Sequence, residues 1–153
     1  DVGCGTGDLS LVLRQMGARD YLGIDLYAPS IEVAQEKYPH EKFITGDFLQ
    51  VPLRRRFDYV FCSGALTVNL PVIDNYDFLL WAIKKMWKAT KVGMVFSVLT
   101  DEDSERDPAL FYYSRERVET LLKEIVGDAQ VISEKTPGIF HVNFFALRNS
   151  QQL

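Results

Sequence analysis

The residues able to do chemistry gather at the start of the chain. Asp1-Val2-Gly3-Cys4-Gly5-Thr6-Gly7 sets glycines at alternate positions behind an acid. Such a turn lets the backbone bend sharply and come into contact with a bound ligand. Leu9, Val12, Leu13 and Met16 follow at i, i+3, i+4 and i+7, the spacing of an amphipathic helix. A glycine turn that opens a helix aims free N–H groups and the positive end of the dipole at a ligand, which makes it a nucleotide-type site. Asp25 lies 18 residues beyond Gly7, and a carboxylate there can accept two hydrogen bonds from a ribose diol. Leu26 beside it can cover one face of a base. Asp47 can accept from an exocyclic amine, Phe48 can pack on an adenine, and Cys62 and Ser63 can meet the polar tail of the same ligand.

These residues need a frame that brings strand ends together. Tyr21–Asp25, Lys42–Thr45, Phe57–Cys62 and Gly93–Leu99 read as strands, and Asp1 reads as the last residue of another, whose earlier part lies outside the sequence. The chain therefore reads as a fragment that lacks its N-terminus. Helices are expected from Leu9 to a stop at Gly17, from Pro29 to about Tyr38, along the stripe Tyr76, Leu79, Leu80, Ile83, Met86 and Trp87, and through Val118, Leu121, Leu122 and Ile125 behind a Ser114 cap. Ala129–Glu134 and His141–Arg148 complete the strands. Thr136-Pro137-Gly138 between them is too short for a helical crossover, so that pair should be antiparallel. Thr100 to Pro108 reads as an exposed, charged connection, and Arg54-Arg55-Arg56 as a solvated loop. The expectation is one α/β domain over residues 1–153, with a Rossmann-like, doubly wound, seven-stranded and mostly parallel sheet closed by an antiparallel strand pair.

Bulk composition narrows the function classes. Net charge is -4 and the sequence pI about 5.2, which disfavours a nucleic-acid partner. Two cysteines are too few for a disulfide framework or a zinc cluster, so no metal is expected and the cytoplasm is the default location. No apolar run is long enough for a membrane span.

The glycine spacing selects the cofactor. A dinucleotide turn needs glycine at position 8 or 10, and those positions are Asp8 and Ser10. A carboxylate would also repel a pyrophosphate. The turn suits a cofactor without phosphates whose ammonium is met by carboxylate and carbonyl groups. S-adenosylmethionine has that amino-acid tail, a ribose and an adenine.

Asp1-Val2-Gly3-Cys4-Gly5-Thr6-Gly7 resembles motif I of the class I S-adenosylmethionine-dependent methyltransferases. Gly23-Ile24-Asp25-Leu26 is similar to their second motif, Gly46-Asp47-Phe48 to their third, and Phe57-Asp58-Tyr59-Val60 to their fourth strand. Cys62-Ser63-Gly64-Ala65-Leu66 with Phe111-Tyr112-Tyr113 resembles a branch of small bacterial methyltransferases. The likeness implies that Asp1, Gly3 and Gly5 hold the methionine portion, Asp25 the ribose, and Leu26, Asp47 and Phe48 the adenine. Ser63 would line the reactive end. It implies no catalytic residue, because a sulfonium methyl is already activated and a base is needed only where the acceptor must lose a proton. Asn69, Tyr112, Tyr113 and His141 are candidates for the acceptor side. The acid-Pro-Pro-aromatic element of many nucleic-acid amino methyltransferases is replaced by Cys62-Ser63-Gly64-Ala65, which favours a small-molecule acceptor. The rival readings are a non-catalytic cofactor-binding or partner-regulating domain, an RNA methyltransferase and a nicotinamide-dependent oxidoreductase. The sequence leaves the oligomeric state open.

Overall fold

The structure is a computed structural model that describes residues 1–102, 106–135 and 141–149. The expected turn at Thr136-Pro137-Gly138 lies outside the described residues. Two compact units divide the chain, residues 1–52 and 53–153.

The first unit holds α1 (Asp8–Gln15), β1 (Leu22–Asp25), α2 (Ala28–Lys37) and β2 (Lys42–Thr45). β1 and β2 run parallel, with Leu22 opposite Lys42 and Asp25 opposite Thr45. The strand expected to end at Asp1 is present as one parallel bridge, Val2 to Ile24. There Ile24 N–H donates to the Asp1 carbonyl at 2.9 Å, and Gly3 N–H donates to the Ile24 carbonyl at 2.8 Å. Gly17, in the left-handed region at φ 93°, follows α1 as expected. The apolar stripe on α1 is not the buried one. Val12 and Met16 are exposed and Leu9 and Leu13 half-buried, while Ser10 is buried. Apolar periodicity gives a helix its phase, but the surface standing against it decides which stripe is covered.

The second unit holds β3 (Phe57–Cys62), α3 (Asn75–Ala89), β4 (Thr90–Leu99), α4 (Arg115–Val126), β5 (Gln130–Lys135) and β6 (His141–Leu147). Its four strands form a mixed sheet in the order β3-β4-β6-β5. β3 and β4 are parallel, and β6 runs antiparallel to both neighbours. The antiparallel closing pair is thus present. Among the described residues six strands form, a pair in the first unit and a set of four in the second, beside the single Val2 bridge.

The helix starts follow from their caps. The Asp74 carboxylate accepts from Tyr76 N–H at 2.8 Å and Asp77 N–H at 3.2 Å, and the Ser114 hydroxyl accepts from Arg117 N–H at 3.4 Å. Leu79, Ile83, Met86 and Trp87 of α3 are buried, as the stripe requires, together with Val118 and Leu122 of α4 and Phe96 and Phe144 of the sheet. The Phe96 and Phe144 rings stack at 5.2 Å across β4 and β6.

Thr100 departs from the expected exposed connection. It is fully buried at the end of β4, bridges Tyr113, and its hydroxyl has no hydrogen-bond partner among the described residues. Asp101 and Glu102 beyond it are exposed. An orphaned buried hydroxyl costs free energy that an isosteric methyl does not. Thr100→Val is therefore expected to raise unfolding stability by about 1 kcal/mol, read as a higher urea midpoint at unchanged slope.

Candidate cofactor site

The glycine turn is shaped by backbone geometry and closed by one carboxylate. Gly5 and Gly7 have φ of 53° and 80°, a region costly for residues that carry a Cβ. Gly7 N–H donates to the Cys4 carbonyl at 2.9 Å, and Ser10 N–H to the Gly7 carbonyl at 3.0 Å, so the turn runs directly into α1. A Cβ on Gly5 would meet nothing within 4 Å, whereas one on Gly7 would fall 2.7 Å from the Phe43 ring. The Gly5 side of the turn is open for a ligand and the Gly7 side is packed.

Asp25 ends β1 against this turn. One carboxylate oxygen accepts from Gly5 N–H at 2.8 Å and the other from Tyr27 N–H at 2.8 Å. Each oxygen has two lone pairs, so both retain an acceptor position. Leu26 beside it is 74% exposed, an apolar side chain held out next to a carboxylate. Asp47 accepts from Leu49 N–H at 2.8 Å and Gln50 Nε2 at 3.0 Å, which fixes the turn that follows β2. Phe48 is buried, leaving little of its ring for a ligand. The Asp1 carboxylate accepts from the Tyr21 hydroxyl at 2.5 Å. Asp1, Gly3, Gly5, Asp25, Leu26, Asp47 and Phe48 therefore all belong to the first unit.

Asp8 tests the choice between cofactors. Hydrogen bonds from Lys37, then from Tyr38 at 2.6 Å and Thr6 at 2.8 Å, hold its carboxyl well below the usual carboxylate range. A fixed negative charge thus stands in the first turn of α1, where a pyrophosphate would need the helix terminus. A ligand whose polar tail carries an ammonium meets no such penalty.

Cys4 is packed within the turn. Burial, then the charge of Asp25, pushes its thiol from an ordinary 9.0 up to about 11. The folded chain therefore holds this proton more tightly than the unfolded chain does. The associated stability is fully present below pH 9.0 and is lost as pH rises toward about 11. We expect thiolate absorbance of the folded protein to stay flat through pH 9, and iodoacetamide to leave Cys4 unmodified at pH 8. Burial likewise raises Cys62, to about 12.

Ser63, the remaining cofactor candidate, and the acceptor-side candidates Asn69, Tyr112, Tyr113 and His141 belong to the second unit and have different surroundings. Ser63 is exposed just past β3. Asn69 is exposed, and its Nδ2 donates to the Pro108 carbonyl at 3.1 Å. The Tyr112 hydroxyl accepts from Asp107 N–H at 2.9 Å. His141 is half-buried at the start of β6, opposite Leu99. Tyr113 corrects the sequence expectation. It is fully buried and donates to the carbonyls of Leu66 at 2.9 Å and Asn75 at 3.3 Å, so it braces the core and has no free surface for a substrate. Asn75 was missed: buried at the start of α3, its Nδ2 donates to the Val68 carbonyl at 2.7 Å and its Oδ1 accepts from Leu70 N–H at 3.1 Å. Its adjacency to the Asp74 cap was the one sequence signal available.

A strand-to-helix glycine turn with an acid ending the next parallel strand defines an α/β protein of the nucleotide-binding type. The chain belongs to the methyltransferase-domain family, whose pattern matches residues 1–90, and that family places it among the class I S-adenosylmethionine-dependent methyltransferases. It is 25% identical over 128 residues to an uncharacterized methyltransferase of Alkaliphilus oremlandii, covering 84% of this chain and 58% of that protein. It is 31% identical over 103 residues to the malonyl-[acyl-carrier protein] O-methyltransferase of Pectobacterium atrosepticum, covering 67% of this chain and 38% of that one. The chain thus spans less than two thirds of either relative. In fold it is similar to the magnesium protoporphyrin IX methyltransferase of Synechocystis with bound S-adenosylhomocysteine, with a TM-score of 0.76, 18% identity, and coverage of 97% of this chain and 73% of that one. No helix among the described residues is long and apolar enough to cross a membrane.

Proposed function

We propose that this chain binds S-adenosylmethionine and transfers its methyl group to a small-molecule acceptor. We also take residues 1–153 as one methyltransferase domain, because the family match runs through residue 90, past the division at residue 52. The observation that carries the reading is Asp25. Its carboxylate fixes Gly5, keeps an acceptor position on each oxygen, and adjoins the exposed Leu26. That set fits a ribose diol and the apolar face of an adenine.

The cofactor supplies a methyl group already activated on a sulfonium. What remains for the protein is to bind, align and exclude water. Asp1 with the Gly3 and Gly5 backbone holds the amino-acid tail. Asp25 accepts from the ribose hydroxyls, Leu26 covers the adenine, and Asp47 accepts from its amine, with Phe48 supporting that segment from the core. We assign Ser63 to the reactive end, and Asn69, Tyr112 and His141 to the acceptor. Magnesium protoporphyrin IX, the acceptor in the name of one fold neighbour, supports a small acceptor for this chain.

Calorimetric titration with S-adenosylmethionine, S-adenosylhomocysteine and NADH tests the reading. We expect micromolar binding of the first two and none of NADH. Binding of NADH alone would overturn it. Asp47→Ala is expected to weaken S-adenosylhomocysteine about tenfold, the value of one lost hydrogen bond to a charged acceptor.

A further inference from the structure

The segment between β3 and α3 combines an unusual composition with an unusual frame. Residues 59–73 are the longest run in the sequence without Asp, Glu, Lys or Arg. Charged residues make up 25% of the whole, so a run of fifteen without one stands out. A segment like this would ordinarily fold into the core. Its first part does, with Val60, Cys62 and Leu66 buried, but Val68 is 53% exposed, Val72 91% and Ile73 42%.

Its backbone from Gly64 to Leu70 is held by a set of hydrogen bonds. Gly64 N–H donates to the Ser97 hydroxyl at 3.0 Å, and the Thr67 hydroxyl to the Gly64 carbonyl at 2.8 Å. The buried Tyr113 hydroxyl holds the Leu66 carbonyl, and the buried Asn75 amide holds Val68 and Leu70. The segment around Ala109 laces the other edge, with Asn69 N–H donating to the Ala109 carbonyl at 2.9 Å and Phe111 N–H to the Thr67 carbonyl at 2.8 Å. Buried polar side chains thus fix the backbone from Gly64 to Leu70, with Leu66 turned into the core and Val68 left exposed, and Val72 and Ile73 follow as further exposed apolar side chains.

We infer that Val68, Val72 and Ile73 form an apolar rim that selects a neutral, apolar acceptor for the methyl group. The inference rests on the methyl-transfer reading above. Three features of the segment lead to it. The loop leaves the carboxyl end of β3, the end at which parallel strands meet their ligands. It offers no charge to pair with a phosphate or carboxylate, so an anionic acceptor gains nothing there. Three side chains on one loop are far short of the roughly 800 Å² per partner that a protein interface needs, but they suit a small molecule. Tyr113 and Asn75 are positioning residues for the stretch from Leu66 to Leu70 that carries Val68.

Fluorescence titration with N-phenyl-1-naphthylamine, a neutral apolar probe, tests the inference with and without S-adenosylhomocysteine. The protein should bind the probe saturably. Val72→Glu and Ile73→Glu place a charge where an apolar ligand would have to desolvate it, and should weaken the probe about tenfold or more. Both positions are exposed, so the variants should fold. Ile132→Glu, an exposed apolar position on β5, should leave probe binding unchanged. Absence of saturable binding, or equal binding by wild type and Val72→Glu, overturns the inference. Sedimentation with neutral phosphatidylcholine vesicles that is lost in Val72→Glu also overturns it, assigning the loop to a lipid surface. Calorimetry with S-adenosylhomocysteine separates the two levels. The Glu variants should keep wild-type cofactor affinity, whereas failure of the wild type to bind it removes the methyl-transfer reading itself.

Discussion

Replacing Asp25 with alanine is expected to lower the affinity for S-adenosylhomocysteine about a hundredfold, read by calorimetry on folded protein. Two effects add. The variant loses the acceptor for the ribose hydroxyls, and hydrogen bonds to a charged acceptor contribute about 1.5–3 kcal/mol each. It also releases Gly5 N–H and Tyr27 N–H, both now held at 2.8 Å, so the turn no longer presents a fixed surface. Asp25→Asn separates the two. Its amide oxygen can keep one of these contacts, while its NH2 group cannot accept the other. The asparagine variant should therefore lie between wild type and alanine. Alanine affinity within threefold of wild type would remove Asp25 from the site.

The second large effect concerns Gly7, and it is an effect on folding. At φ 80° an alanine costs about 1–2 kcal/mol of backbone strain. Its Cβ would also lie 2.7 Å from the Phe43 ring and 3.2 Å from Ala34 Cβ. Forcing that contact adds about 1–3 kcal/mol of overpacking. Gly7→Ala should therefore destabilise the protein by about 2–5 kcal/mol, seen as a large fall in the urea midpoint. Gly5→Val makes the contrast. A Cβ there meets no protein atom within 4 Å, so the protein should lose only the strain of a β-branched residue at φ 53° while cofactor affinity falls most. A Gly7→Ala midpoint equal to wild type, or a folded Gly5→Val with unchanged affinity, would contradict the division of the turn into a packed side and an open side.

Much of this was legible in the sequence, for a local reason. The glycine turn, the acid that ends β1, the Ser114 cap and the apolar stripe of α3 are each written within a few residues of the feature they produce. Backbone conformation and helix capping act over that range. The failed dinucleotide spacing at Asp8 was equally local, and the structure adds that Lys37 and Tyr38 keep that carboxylate charged.

Tertiary structure alone decided the rest. Nothing near β6 in sequence places it between β4 and β5, because that order depends on which sheet face and edge remain available after earlier pairings. The same holds for single residues. Tyr112 and Tyr113 are neighbours of one type, yet one accepts from Asp107 near the surface and the other is sealed in the core on the carbonyls of Leu66 and Asn75. Val12 and Met16 were apolar at the right spacing and remain exposed, while Ser10 is covered. Residue type and spacing set what a side chain can do. Burial depends on segments distant in sequence that arrive opposite it, and only the folded chain contains that information.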